Sequence, residues 1–164
     1  MCHRRMHEFD IVNVVTALHR LARSPDLGRV DDKEGTQSRL VFLLAEQAAE
    51  LRVQQLANTA WSFARLHVTH EPLWDALASA SLRTLNQFGA QECANIAWAF
   101  AKQLVWPEPL MAAIASQSIA NIKDFMPQHL GNTAWAFARK LEVNMPLMDA
   151  IAAEAIKLLH DCDQ

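Results

Sequence analysis

Long apolar runs are absent from this 164-residue sequence, although 51% of its residues are hydrophobic. A membrane-spanning helix needs about 18 or more consecutive apolar residues, so no membrane insertion is expected. A chain of this length and hydrophobic content has enough apolar side chains to build a core. The sequence therefore predicts one soluble domain that spans residues 1–164.

Cysteine is scarce, and its spacing fits no known framework. The three cysteines are Cys2, Cys93 and Cys162, an odd set that predicts a reducing compartment and no disulfide scaffold. His3 and His7 share a helix face beside Cys2, but a chain terminus holds a metal poorly, so no metal site is predicted. The basic residues at the start are followed at once by Glu8 and an amphipathic stretch, so no complete targeting peptide is recognised.

Positive charge is not in excess, since 15 lysines and arginines face 18 acidic residues for a formal net charge of -3. Nucleic-acid binders often carry an overall basic excess, so any such function here must depend on local charge. The motifs Gly-x-Ser-x-Gly, His-Glu-x-x-His and the glycine-rich phosphate loop are all missing. Cys93 stands where Leu56 and Leu130 stand in equivalent phrases, which indicates a core residue. We expect a protein that is not an enzyme and needs no cofactor.

A repeat of 37 residues dominates the sequence. Its first half carries one tryptophan in a fixed phrase, which reads Leu56-Ala-Asn58-Thr-Ala-Trp61-Ser-Phe-Ala-Arg65, Cys93-Ala-Asn95-Ile-Ala-Trp98-Ala-Phe-Ala-Lys102 and Leu130-Gly-Asn132-Thr-Ala-Trp135-Ala-Phe-Ala-Arg139. Its second half opens with Pro-Leu at Pro72, Pro109 and Pro146. Proline suits the first turn of a helix, where its missing N–H would have had no partner. Apolar residues recur at helical spacing in both halves, so each unit is predicted to be a pair of helices.

A degenerate copy precedes these three units. The segment 9–18 aligns with the tryptophan phrase, with Asn13 in place of Asn58 and Thr16 in place of Trp61. A polar, turn-rich insertion at 24–37 separates it from a second helix at about 38–51. The sequence thus predicts an all-α fold, a right-handed α-solenoid of about four helix-pair repeats, at approximately 8–51, 52–87, 88–124 and 125–161.

At these phrases the sequence resembles the octotricopeptide and heptatricopeptide (RAP-associated) helical-repeat family of organellar RNA-binding proteins. The resemblance is strong from residue 54 onward and weak over the first 50 residues. It implies binding of single-stranded RNA or rRNA, a location in the mitochondrion or plastid, and a role in organellar RNA metabolism or as part of an organellar ribosome.

The repeat signature itself is expected to be structural. Bulky rings at repeated positions more often pack between units than stack on bases, and this applies to Trp61, Trp98 and Trp135. The equivalent asparagines, Asn58, Asn95 and Asn132, are expected to hydrogen-bond to backbone at the repeat junction.

Charge divides unevenly between the two predicted helix layers. The first helices of the last three units carry a net charge of +3, from one acidic residue, Glu92, and four basic residues: Arg65, Lys102, Arg139 and Lys140. The second helices carry a net charge of -4. A basic column with a spacing of one repeat suits successive phosphates, although a solvated face with cations near helix C-termini would look the same.

A base-reading code would need positions that vary while the frame stays constant. Three such sets exist: Gln55, Glu92 and His129; Thr59, Ile96 and Thr133; Ser62, Ala99 and Ala136. Ordinary drift on an exposed face explains the same variation.

Two functions remain open at this stage. The first is a non-catalytic RNA-binding module whose partners are single-stranded RNA and the other protein subunits of a larger assembly. The second is a protein-interaction or structural accessory subunit of an organellar complex, with no direct RNA contact. Helical repeats serve both purposes on one scaffold.

Overall fold

The computed structural model describes residues 11–24, 36–140 and 144–162, and every regular element within these ranges is helical. The α-helices are α1 (Ile11–Arg23), α2 (Thr36–Gln47), α3 (Val53–Arg65), α4 (Glu71–Thr84), α5 (Ala90–Lys102), α6 (Glu108–Ala120), α7 (Pro127–Ala138) and α8 (Met145–Cys162). The all-α prediction is confirmed for this part of the chain. The predicted insertion at 24–37 lies largely outside the described residues, as do Cys2, His3 and His7.

The helices α4, α6 and α8 each begin one residue before the proline that predicts them, and in α4 and α8 a side chain caps the first turn. Nδ1 of His70 accepts a hydrogen bond from the backbone N–H of Leu73 at 3.2 Å. Oδ1 of Asn144 accepts the equivalent bond from Leu147 at 3.1 Å. Short 3₁₀ turns follow three of these helices, at Ala48–Glu50, Leu85–Gln87 and Ile122–Asp124.

The turn between the helices of a unit is built in the same way twice. His67 and Leu104, 37 residues apart, have positive φ angles of 57° and 59°. The next backbone N–H in each case reaches back to a phenylalanine carbonyl, Val68 to Phe63 at 3.0 Å and Val105 to Phe100 at 3.1 Å. These bonds satisfy carbonyls that the helix end would otherwise leave without partners.

Helices of equivalent position pack side by side in chain order. Helices α1, α3, α5 and α7 form one layer, in which each contacts the next, and α2, α4, α6 and α8 form the second layer in the same way. Small buried residues such as Ala57, Ala60, Ala94 and Ala97, at 0–1% exposure, allow the helix axes of the first layer to approach closely. None of the described helices is long and apolar enough to span a membrane.

Candidate nucleic-acid interface

Three indole rings form a continuous ladder along the first layer. The ring centroids of Trp61 and Trp98 are 6.2 Å apart, and those of Trp98 and Trp135 are 6.1 Å apart, with interplanar angles of 31° and 33°. His19 on α1 extends this indole ladder, with its ring 5.1 Å from that of Trp61. Trp61 and Trp98 are half-buried and Trp135 is 39% exposed. The rings therefore pack mainly against one another.

The indole ladder does not offer ring faces for intercalating bases. A base inserted between two rings needs a separation of about 7 Å, twice a close carbon contact of ~3.5 Å, and the observed centroid distances are 6.1–6.2 Å. At the last ring of the ladder, the guanidinium of Arg139 lies 5.0 Å from the Trp135 ring centroid. What this surface presents to solvent is indole edges and the polar groups beside them.

The basic column lies beside the indole ladder and is exposed. Arg65, Lys102 and Arg139 are solvent-accessible, and the guanidinium of Arg65 lies 5.4 Å from the Trp61 ring. No ion pair ties these three side chains within the described residues. A cation held over an aromatic ring keeps its charge and is partly ordered in advance, which suits contact with an anion.

The structure aligns the first unit differently from the tryptophan phrase. Helices α1 and α3 each have 13 residues and end at Arg23 and Arg65, so they match at an offset of 42 residues. At this offset His19 stands where Trp61 stands, in agreement with the contact between their rings. The predicted equivalence of Thr16 with Trp61 is therefore wrong, and exposed Arg23 is the residue of the first unit that corresponds to Arg65.

Lys140 does not join the column. Its Nζ lies 2.6 Å from Oε2 of Glu108, and it sits 5.4 Å from the centroid of Trp106. The hydrogen bond from Lys140 is the main reason that the pKa of Glu108 is lowered. Lys140 thus ties α7 to the start of α6, so its prediction as an RNA contact does not fit the structure.

The prediction that three residues contact bases does not fit the structure, because all three are buried. Thr59, Ser62 and Thr133 each have 0% exposure. The hydroxyl of Ser62 donates to the backbone carbonyl of Asn58 at 2.6 Å and lies 3.5 Å from Nδ1 of His19 on α1. These side chains fill the joint between neighbouring first helices, where a nucleotide has no access.

A second predicted set serves helix capping. Gln55, Glu92 and His129 stand at the third position of α3, α5 and α7, and each accepts a hydrogen bond from the backbone N–H three residues earlier, at 2.8, 3.1 and 3.2 Å. Such contacts satisfy one of the N–H groups that a helix start leaves unpaired. The variation at these positions is explained by capping, since an amide, a carboxylate and an imidazole can all accept this bond.

The asparagines of the repeat signature do not make the backbone hydrogen bonds that the sequence predicts. Asn58, Asn95 and Asn132 are half-buried, and within the described residues no hydrogen bond joins their side chains to backbone. Their amide groups therefore line the same stripe as the indole edges and the basic column. This stripe, composed of an asparagine, an indole edge and a cation in each of the last three units, is the candidate interface.

Cys93 lies in the core, as the sequence predicts. Its exposure is 0%, and burial raises the pKa of its thiol to about 12. A thiol with such a pKa stays protonated at neutral pH, and the thiolate is the reactive form.

The comparisons with known proteins correct the resemblance drawn from the tryptophan phrase. A family model described as RNA-editing substrate-binding complex 6 protein matches residues 36–163, so the assignment to the octotricopeptide and heptatricopeptide family is wrong. The phrase misled because its small residues and rings meet the packing needs of stacked helix pairs, which other families share. A comparison with curated proteins found no significant match. The family match covers most of the chain and all of the candidate interface, and the chain belongs to the RNA-editing substrate-binding complex 6 protein family.

Proposed function

We propose that this protein is a non-catalytic RNA-binding component of an RNA-editing complex and that single-stranded RNA lies along the stripe of the first layer. The observation that carries the proposal is the basic column, whose members in the last three units recur every 37 residues without a carboxylate partner in the described structure. Successive phosphates of one strand would meet successive units. Asn58, Asn95 and Asn132 would add hydrogen bonds to sugars or bases.

The architecture behind this proposal is the right-handed α-solenoid predicted from the repeat. The ordered contacts within each helix layer support it, because they keep equivalent side chains in columns. Contacts at phosphates position a strand without reading its sequence, and the residues predicted to read bases are buried or used in capping. Binding through the stripe is therefore expected to be tolerant of RNA sequence.

The family name supports the setting of this function. RNA-editing complexes of this kind act in mitochondria, so we propose a mitochondrial location and partners that include other protein subunits. The plastid and the organellar ribosome were suggested only by the resemblance that the family match overturns. An accessory subunit without RNA contact is the second candidate, and an apolar groove at the end of the array favours it.

Anisotropy titration of a fluorescent single-stranded RNA with the purified chain tests the proposal. The double variant Lys102→Gln with Arg139→Gln removes two members of the basic column. We expect affinity to fall at least tenfold at low salt. We also expect the slope of log K against log salt to become shallower, by about 0.7 for each phosphate that the variant no longer neutralises.

The matched control is Arg83→Gln with Lys123→Gln, which removes the same charge from exposed positions associated with the second layer. This variant should bind nearly as tightly as the unmodified chain. Equal losses of RNA affinity in the two double variants would mean that the effect depends on net charge alone. This result would contradict RNA binding along the stripe. Absence of RNA binding by the unmodified chain at low salt would favour the accessory-subunit function.

A further inference from the structure

Positive charge without a counter-charge gathers where α1 packs on α3. Neither helix contains an aspartate or a glutamate. Their charged residues are Arg20, Arg23 and Arg65, and all three are exposed. Within the described residues no carboxylate forms an ion pair with them. This joint is therefore suited to an anion.

The first unit places side chains of its own on the line of the stripe. At the offset of 42 residues, buried residues of α1 coincide with buried residues of α3, with exposures of 0–4%: Val15, Leu18 and Ala22 with Ala57, Ala60 and Ala64. His19 then takes the position of Trp61, and Arg23 takes that of Arg65. The stripe thus continues onto α1, with an imidazole in place of an indole.

His19 is held at this joint by two contacts with α3. Its ring lies 5.1 Å from that of Trp61, and its Nδ1 lies 3.5 Å from the hydroxyl oxygen of Ser62. The Ser62 hydroxyl donates its own proton to the carbonyl of Asn58 at 2.6 Å, so its oxygen is left to accept from the N–H at Nδ1. Nε2 is then the atom of His19 that can take up a second proton.

The side chain of Arg65 reaches across the joint to α1. Its Nε donates to the carbonyl of Ala22 at 3.4 Å, which brings the guanidinium to the end of the helix that carries Arg23. A cation at this place also stabilises the helix C-terminus. That bond uses only one N–H of the guanidinium, and the others remain available for the paired hydrogen bonds that arginine makes with phosphate.

The protonation of His19 is sensitive to an anion at this joint. Burial, and after it the charge of Arg23, lower the pKa of His19, so the imidazole is neutral at neutral pH in the free chain. A phosphate brings the opposite charge, which favours the protonated form and raises this pKa. Binding then takes up a proton at pH values between the free and the bound pKa, so affinity increases as the pH falls through this range.

We propose that His19, Arg23 and Arg65 bind one phosphate of the RNA at the joint between the first two units, and that a proton on His19 strengthens this contact. The proposal rests on the proposed function, because the ligand is the strand that follows the stripe. It extends the stripe to the first unit and makes RNA binding depend on pH.

Anisotropy titration of the full chain with a single-stranded oligouridine, labelled with a dye that does not titrate, tests the role of the proton. Uridine does not titrate between about pH 7.5 and about pH 5.5, so a change in affinity reports on the protein. His19→Phe keeps a ring against Trp61 but cannot be protonated. Since one unit of pKa shift corresponds to about tenfold in affinity, we expect acidification to strengthen binding by the unmodified chain about fivefold more than binding by this variant. His160→Gln is the control, because His160 is exposed on α8, and it should keep the full pH response.

Two arginine variants test the phosphate contact. Arg23→Gln should weaken binding about threefold at low salt and make the slope of log K against log salt shallower by about 0.7. Arg20→Gln is the matched control, because it removes the same charge from the same helix. Arg20 corresponds to Ser62, whose side chain is directed at the preceding helix, so Arg20 is directed away from α3. This control should bind like the unmodified chain, and circular dichroism should show the same helix content in all variants.

The failure of this proposal can be told apart from the failure of the proposed function. Equal pH responses in the unmodified chain and His19→Phe would overturn it, as would equal losses in Arg23→Gln and Arg20→Gln. In both cases a loss of affinity in Lys102→Gln with Arg139→Gln would still support RNA binding along the stripe. A chain that binds no RNA at either pH would overturn both.

Discussion

Single residues of the first helices divide according to whether they face the neighbouring helix or the solvent. Thr59 and Thr133 face inward and are fully buried, and their hydroxyls have no hydrogen-bond partner in the described structure. Ile96 fills the same position in the middle unit with 0% exposure. Burial of an unpaired hydroxyl costs about 1–3 kcal/mol in proteins, so this position favours apolar side chains.

We therefore expect Thr133→Val to raise the free energy of unfolding by about 1 kcal/mol and to leave RNA affinity unchanged. Urea unfolding and RNA titration measure the two effects. Thr84→Val is the control, because the hydroxyl of Thr84 donates to the carbonyl of Ala80 at 3.0 Å and its removal should not stabilise. Weaker RNA binding by Thr133→Val would restore this residue as a base contact.

The signals at the helix ends mark the helices more clearly than their apolar faces do. Prolines mark the starts of the second helices, because Pro72, Pro109 and Pro146 stand at the second residue of α4, α6 and α8. Two of the turns have an unfavourable backbone conformation that the sequence pattern does not show. His67 and Leu104 adopt a left-handed backbone conformation, which disfavours residues with a Cβ by roughly 1–2 kcal/mol.

Replacement of Leu104 by glycine should remove the free-energy cost of this left-handed conformation. Leu104 is 77% exposed, so the substitution removes little packing, and we expect Leu104→Gly to raise the free energy of unfolding by about 1 kcal/mol. Ala112→Gly is a control in the middle of α6, where glycine should lower it by about 1 kcal/mol. Destabilisation in both variants, measured by urea unfolding, would contradict the turn geometry.

The whole molecule is an array in which a side chain's surroundings depend on the unit that holds it. Trp98 has a ring neighbour on each side, whereas Trp135 has one ring neighbour and the guanidinium of Arg139. Each aromatic pair contributes about 0.5–1.5 kcal/mol beyond simple burial. The central indole should therefore contribute more to stability than the terminal one.

We predict that Trp98→Ala lowers the free energy of unfolding by about 1 kcal/mol more than Trp135→Ala does, the value of one additional ring pair. Urea unfolding followed by circular dichroism measures both without relying on the fluorescence that the substitutions alter. Equal losses would mean that the rings act independently and that the indole ladder does not couple the units.

The sequence predicted the helices well and the site only in part. Helix positions follow from local signals that recur with the repeat, such as proline at 72, 109 and 146. Which side of a helix is buried depends on the neighbouring helix, and the repeat period alone does not show where that helix lies. Thr59 was therefore predicted to contact RNA although it is buried. The position of His19 beside Trp61 was not predicted, because the first unit has no tryptophan to fix its alignment.

The most direct test of the central claim, that RNA follows the first helix layer, is photocrosslinking of 4-thiouridine RNA to the chain with the sites located by mass spectrometry. The stripe predicts crosslinks in peptides from α3, α5 and α7, at or beside Trp61, Trp98 and Trp135. Salt should weaken all of them together. Crosslinks concentrated in α4, α6 and α8 would contradict the claim, as would a chain that takes up no RNA at low salt.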